Sequence, residues 1–195
     1  DVALFGAKTQ FCTINLLGPP STESKRFKKV MQQACEAAEQ LGITIVTGHT
    51  GTYQGLSTLI GVCTGYGQIA QDKLKTPAEA KTNNFVLCVK PVGLETVVNF
   101  ALAHKKLAKK LFGCQTTEEL TELVCMQSCV KEALLLAGLE GVHALHDATE
   151  GGVVSALNEL ADGHSRLILP GHLFQDLLEA PFQAPFSTPE RFARG

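Results

Sequence analysis

Apolar side chains at Phe27, Val30, Met31, Ala34, Ala38 and Leu41 recur at the spacing of one helical face, while Lys25, Arg26, Lys28, Lys29, Glu36 and Glu39 take the other. This stripe predicts a helix from Ser21 onward, stopped by Gly42. Ahead of it, the apolar run Gln10 to Leu17 closes in Gly18-Pro19-Pro20 and reads as a strand ending in a turn. Behind it, Ile43-Thr44-Ile45-Val46 reads as a β-branched strand, Thr47 to Gly51 as a loop of small residues, and Ser57 to Val62 as a further strand running into glycine-rich sequence.

Thr76-Pro77 and the polar stretch Glu79 to Asn84 interrupt this pattern and predict a boundary, with one domain over 1–78 and another over 79–195. Phe85 to Val89 then reads as a buried strand. Pro91-Val92-Gly93 turns it into a helix with Leu94, Val97, Val98, Ala101, Ala108 and Leu111 on one face, and His104 falls on that face too. Thr116-x-x-Glu119 reads as a capping box before a second helix that carries Leu120, Leu123, Val124, Val130, Leu134 and Ala137 and closes at Gly138. Val142 to His146 is a possible short strand, Asp147 to Gly152 a loop, and Val153 to Ala161 a helix. Past Gly163 the pattern fades. Pro181, Pro185 and Pro189 with spaced phenylalanines suggest a divergent or extended segment over 164–195.

Charge narrows the function. Seventeen basic and nineteen acidic side chains leave −2, so no broad positive field exists to hold a nucleic-acid backbone or an anionic membrane. Neither is expected as a partner. Apolar runs fall short of a spanning helix, and the first residues lack the basic lead of a signal peptide. Seven scattered cysteines favour reduced thiols and a cytoplasmic setting. Asp1 stands directly before an element with no lead-in, so the fold is expected to begin earlier than this residue.

Several segments suggest chemistry. Gly65-Tyr66-Gly67-Gln68-Ile69-Ala70 fits the Gly-x-Gly-x-x-Ala dinucleotide fingerprint, but Pro77 cuts off the helix that should follow and the acidic ribose partner is missing. A tight β-turn is the better reading. Cys125 and Cys129 lie one helical turn apart without the paired Cys-x-x-Cys spacing of structural zinc, so they read as buried thiols. His143 and His146 need further ligands to hold a metal, and His104 reads as a histidine bonded to backbone. Gly48-His49-Thr50-Gly51 and His146-Asp147-Ala148-Thr149-Glu150-Gly151-Gly152 stand out, each following an expected strand, the second opening into a helix. Free backbone N–H groups and a hydroxyl at a helix start make an anion pocket. A phosphate beside Asp147 and Glu150 then calls for a hard cation such as Mg2+. A simple helix cap by Thr149 or Asp147 accounts for the same residues, and both readings stay open.

With these motifs in order, the chain resembles the aminoimidazole-ribonucleotide (AIR) synthase superfamily, nearest its AIR synthase-related, hydrogenase-maturation branch. Asp1-Val-Ala-Leu-Phe-Gly-Ala is similar to the Asn-Asp-x-Ala-x-x-Gly-Ala segment, Gly48-His49-Thr50 to the Gly-Gly-His-Thr loop, Lys90-Pro91-Val92-Gly93-Leu94-Glu95-Thr96 to the turn opening the second domain, and His146 to Gly152 to the His-Asp-x-Thr-x-Gly-Gly loop. The resemblance implies an α/β (α+β), AIR-synthase-like two-domain fold, here part of the N-terminal domain followed by a mixed-sheet C-terminal domain with helices. It implies a homodimer built on the first domain, and an ATP- and Mg2+-dependent enzyme that activates an amide-type oxygen by phosphorylation on a small-molecule or protein-bound substrate. By position, Asp1 is a metal ligand; Gly48, His49, Thr50, Gly151 and Gly152 hold the nucleotide; His146, Asp147 and Thr149 are catalytic. Thr47 replaces the first glycine of the Gly-Gly-His-Thr loop, and Ala193-Arg194-Gly195 lacks the branch's terminal cysteine. The alternative is a catalytically degenerate dimeric scaffold that keeps the fold.

Overall fold

The computed structural model describes residues 1–161; the extended segment expected over 164–195 lies outside the described residues. Two compact units divide the chain. The first holds Asp1–Lys75 with Ala133–Val142, and the second Thr76–Glu132 with the described residues from His143 onward.

In the first unit a three-stranded mixed sheet has β1 (Lys8–Gly18) at its centre, parallel to β2 (Thr44–Thr52) and antiparallel to β3 (Ile60–Gln68). Helix α1 (Ser24–Leu41) provides the crossover that a parallel pair needs. It ends as the glycine predicted: Gly42 is left-handed at φ 67°, and its N–H reaches the Ala38 and Glu39 carbonyls. Strand alternation gives the sheet two unlike faces. Cys12 and Leu16 are buried on the face where Phe27 of α1 sits against Gly18. On the opposite face the pairs Phe11 with Tyr66, Asn15 with Val62 and Leu17 with Ile60 lie side by side. Phe11, Tyr66, Val62 and Ile60 are all exposed there.

Two expectations change in this unit. The segment Thr47 to Gly51, expected as a loop, continues β2, because β1 offers it a ladder from Thr13 to Gly18. Gly65 and Gly67 belong to β3 and make neither a fingerprint nor a tight turn. A Cβ on Gly67 would come within 2.6 Å of the Lys8 carbonyl oxygen, so this glycine serves close strand approach.

The second unit is helical over its described residues: α2 (Leu94–Ala103), α3 (Lys105–Phe112), α4 (Cys114–Glu122), the start of α5 (Val130–Ala137) and α6 (Gly152–Ala161). Its core forms where α2, α3 and α4 pack together around Val98, Ala101, Ala108 and Thr117. The single helix expected from Leu94 breaks at His104, whose ψ of 45° leaves the helical region; its ring is exposed and stands 5.5 Å from Phe100. The expected capping box lies inside α4. Gly113 takes the N-cap, Thr117 Oγ1 donates to the Gly113 carbonyl at 2.7 Å, and Glu119 accepts from Gln115. A 3₁₀ turn over Leu123–Met126 then separates α4 from α5, so Cys125 and Cys129 share no α-helix.

Phe85 to Val89, expected as a buried strand, is irregular, with Phe85 96% and Leu87 81% exposed. Val142 to His146 is irregular as well. An extended apolar segment becomes a strand only against a ladder partner, and neither has one among the described residues. The mixed sheet expected in the second domain is thus not seen there among those residues; the three-stranded sheet they do form lies in the first unit.

Candidate functional site

The first-unit residues are set by strand pairing. Gly48, His49 and Thr50 stand on β2 opposite Ile14, Asn15 and Leu16 of β1. Gly48 is there for clearance, since a Cβ would fall 1.8 Å from the Ile14 carbonyl oxygen. His49 Nε2 lies 2.7 Å from the Tyr53 hydroxyl, four residues on, and the ring is exposed. Asp1 is exposed at the head of a 3₁₀ turn over Val2–Phe5. Its carbonyl accepts the Leu4 N–H, and its carboxylate makes no capping bond.

In the second unit the loop after Val142 brings together His146, Asp147 and Thr149 and adds two residues from α6. Thr149 Oγ1 donates to Asp147 Oδ2 at 2.7 Å. His146 Nε2 lies 2.5 Å from Glu159 Oε2, and its Nδ1 lies 3.7 Å from Asp147 Oδ1. Ser155 Oγ donates to Glu159 Oε1 at 3.1 Å. The hydrogen bond from His146, followed by that from Ser155, holds the Glu159 carboxyl below its ordinary range. His146 and Asp147 are largely shielded, with side chains 18% and 26% exposed.

Gly151 and Gly152, at φ 72° and 67°, carry the chain from this loop into α6 through two consecutive left-handed residues. A Cβ on Gly151 would also come 2.6 Å from Ser155 Cβ. Side chains are therefore unwelcome where the backbone must turn to place Ser155 and Glu159.

Glu159 and Ser155 were missed from the sequence. Their spacing of four on a helical stretch was visible, but nothing local connects that face to a histidine thirteen positions earlier. His143, considered beside His146, goes elsewhere: its Nδ1 lies 2.9 Å from Asn84 Oδ1. Among the described residues no three His, Cys, Asp or Glu side chains converge as a metal's ligands would.

Both parts of the chain match one family. The model for the AIR synthase related protein N-terminal domain covers residues 1–68, and that for the C-terminal domain covers residues 82–169. The chain belongs to the AIR synthase-related family. It is 22% identical over 162 residues to a putative hydrogenase expression/formation protein of Methanocaldococcus jannaschii, covering 83% of this chain and 46% of that protein. It is 27% identical over 163 residues to the carbamoyl dehydratase HypE of Cupriavidus necator, covering 83% and 44%. The chain thus spans a little under half the length of these curated relatives.

Solved structures share the fold. A hydrogenase maturation protein HypE in complex with ATP aligns with a TM-score of 0.60 at 20% identity, over 82% of this chain and 46% of that one. Thiamine monophosphate kinase from Aquifex aeolicus aligns with a TM-score of 0.65 at 16% identity, over 95% and 61%. The AIR synthase-like fold implied by the motifs is thus shared with these structures.

Proposed function

We propose that this chain belongs to an ATP-dependent enzyme that activates an amide-type oxygen by phosphorylation, in the manner of the hydrogenase-maturation relatives, on a small-molecule or protein-bound substrate. The observation that carries the reading is the His146–Gly152 loop: a hydroxyl, a carboxylate and a shielded imidazole gathered where two left-handed glycines open into α6. Backbone N–H groups at such a helix start favour an anion, and a phosphate is the anion that ATP supplies. His146, Asp147 and Thr149 are the residues for proton movement and phosphate orientation; Gly151 and Gly152 let the backbone come close to the nucleotide. By the family resemblance, Gly48, His49 and Thr50 on β2 are nucleotide-binding candidates of the first unit.

Mg2+ enters with the nucleotide. A cation carried on phosphates needs only one or two carboxylates beside its waters. Asp1, exposed and with no capping bond, suits that donor role. When bound, the ion would offset phosphate charge.

The exposed apolar face of the sheet, with Phe11, Ile60, Val62 and Tyr66 in one patch, favours a second copy of the chain as its cover. A homodimer in a reducing, cytoplasmic compartment also suits seven free cysteines.

Calorimetric titration of the protein with Mg–ATP tests the reading, with saturable binding expected. Asp147→Asn should lower turnover while circular dichroism stays unchanged. A folded dimer that neither binds Mg–ATP nor releases phosphate would reject the enzyme reading in favour of the scaffold.

A further inference from the structure

The His146 ring is anchored at one nitrogen and open at the other. Nε2 is 2.5 Å from Glu159 Oε2, in hydrogen-bond contact, whereas Nδ1 is 3.7 Å from Asp147 Oδ1, beyond hydrogen-bond reach. Both flanking carboxylates are themselves tied down. Ser155 Oγ, one helical turn back on α6, donates to Glu159 Oε1, and Thr149 Oγ1 donates to Asp147 Oδ2. An ionised carboxylate only accepts, so the hydrogen between Nε2 and Glu159 resides on the ring. The lowered Glu159 carboxyl is consistent with that assignment.

From these contacts we infer that Glu159 is a positioning residue for His146: it fixes the ring in the Nε2–H tautomer and leaves the Nδ1 lone pair free to accept a proton. The step is a simple transfer. An amide N–H of the substrate gives its proton to Nδ1; the electron pair of the broken N–H bond forms a C=N bond and the C=O pair moves onto oxygen, which becomes the nucleophile. The ring becomes an imidazolium between Glu159 and Asp147, whose charges stabilise it, and no bond to Glu159 is made or broken. The inference rests on the proposed ATP site only for the identity of the proton donor.

Ring-nitrogen NMR of the protein labelled with 15N-histidine tests it, with the His146 signals assigned by their loss in His146→Gln. At a pH where the ring is neutral, the expected spectrum shows a protonated Nε2 and an unprotonated Nδ1. In Glu159→Ala the two shifts should move toward each other as the tautomers mix. Glu159→Gln should restore the separation, because its amide oxygen still accepts from Nε2. A purely structural role for Glu159 would change thermal stability and leave the tautomer in place. A wild-type ring protonated at Nδ1, or a Glu159→Ala spectrum identical to wild type, would overturn the inference. In single-substrate kinetics Glu159→Ala should lower kcat about tenfold or more with little change in KM for ATP; an unchanged kcat would likewise count against it. Loss of Mg–ATP binding in calorimetry would remove the nucleotide reading alone, since the ring spectra decide the positioning without it.

Discussion

Lys90 Nζ lies 3.1 Å from Glu132 Oε1 and at the same time donates to the Met126 carbonyl at 2.9 Å and the Ser128 carbonyl at 2.5 Å. The Lys90 side chain is only 16% exposed, and its backbone is left-handed at φ 72° directly before Pro91. A β-carbon in that conformation costs about 1–2 kcal/mol. The ammonium offsets this by satisfying two carbonyls between the Leu123–Met126 turn and α5 and pairing with a carboxylate. The turn that opens the second domain is thereby fastened to the segment joining α4 and α5.

Lys90→Ala should therefore destabilise the second unit by about 2 kcal/mol, the scale of a hydrogen-bonded charge lost from a partly buried place. Lys90→Gly should cost less, by roughly 1 kcal/mol, because glycine accepts the left-handed backbone. Urea melts of the two variants provide the measurement. Equal losses would mean that the backbone at residue 90 is unstrained.

The same contact gives a pH dependence. Burial pushes the Glu132 carboxyl up, but its own backbone hydrogen bond, with the Lys90 hydrogen bond and charge, outweighs this and leaves it lowered. A carboxyl lowered on folding contributes stability above its unfolded value and loses it as pH falls through the folded value. Wild type should lose more stability than Lys90→Met between neutral pH and a pH below the ordinary Glu value of about 4.3. Thermal melts at the two pH values would show it.

Gly48→Ala should prevent β2 from pairing with β1, since its Cβ would overlap the Ile14 carbonyl oxygen at 1.8 Å. A loss of about 3 kcal/mol or more is expected from forced backbone movement. Gly51→Ala should be milder, because its nearest neighbours are the His49 and Tyr53 side chains, which can rotate. Comparison of the two melting temperatures separates strand clearance from any role of this segment in binding.

Cys12 should be among the last thiols to react with an alkylating reagent. Burial raises its pKa first, and the charge and hydrogen bond of Cys63 and the charge of Cys35 add to the effect. Cys35 and Cys63 are exposed. Peptide mapping after timed iodoacetamide treatment should show Cys12 modified more slowly than either.

The homodimer proposed above should become a monomer in light scattering on Val62→Lys, on the exposed apolar face of β3, without a lower melting temperature of the monomer. A dimer that survives the substitution would place the interface elsewhere.

Local signals proved reliable where they acted over a few residues. The stripe from Phe27 to Leu41 and the glycine at 42 are α1 and its left-handed stop, and the apolar run from Gln10 to Leu17 lies within β1. Val153 to Ala161 is helical, and the preceding loop carries the cluster at His146, Asp147 and Thr149. The His49 segment misled because small residues and a histidine look like a loop, whereas β1 provides a ladder that carries the strand through them. Phe85 to Val89 misled in the opposite sense: β-branched and aromatic residues predict a strand, yet no partner stands beside them among the described residues.

The order of motifs, α1 with its glycine stop, and α6 with the loop ahead of it were determined by the sequence alone, because helix periodicity, turn chemistry and motif spacing are properties of neighbouring residues. Which distant groups meet was decided by the tertiary structure: Glu159 on His146, Glu132 on Lys90, Cys63 beside Cys12, and β2 against the Ile14 carbonyl. Such pairs follow from strand register and from where helices land, and those are set by burial and backbone pairing over the whole unit rather than by any local pattern.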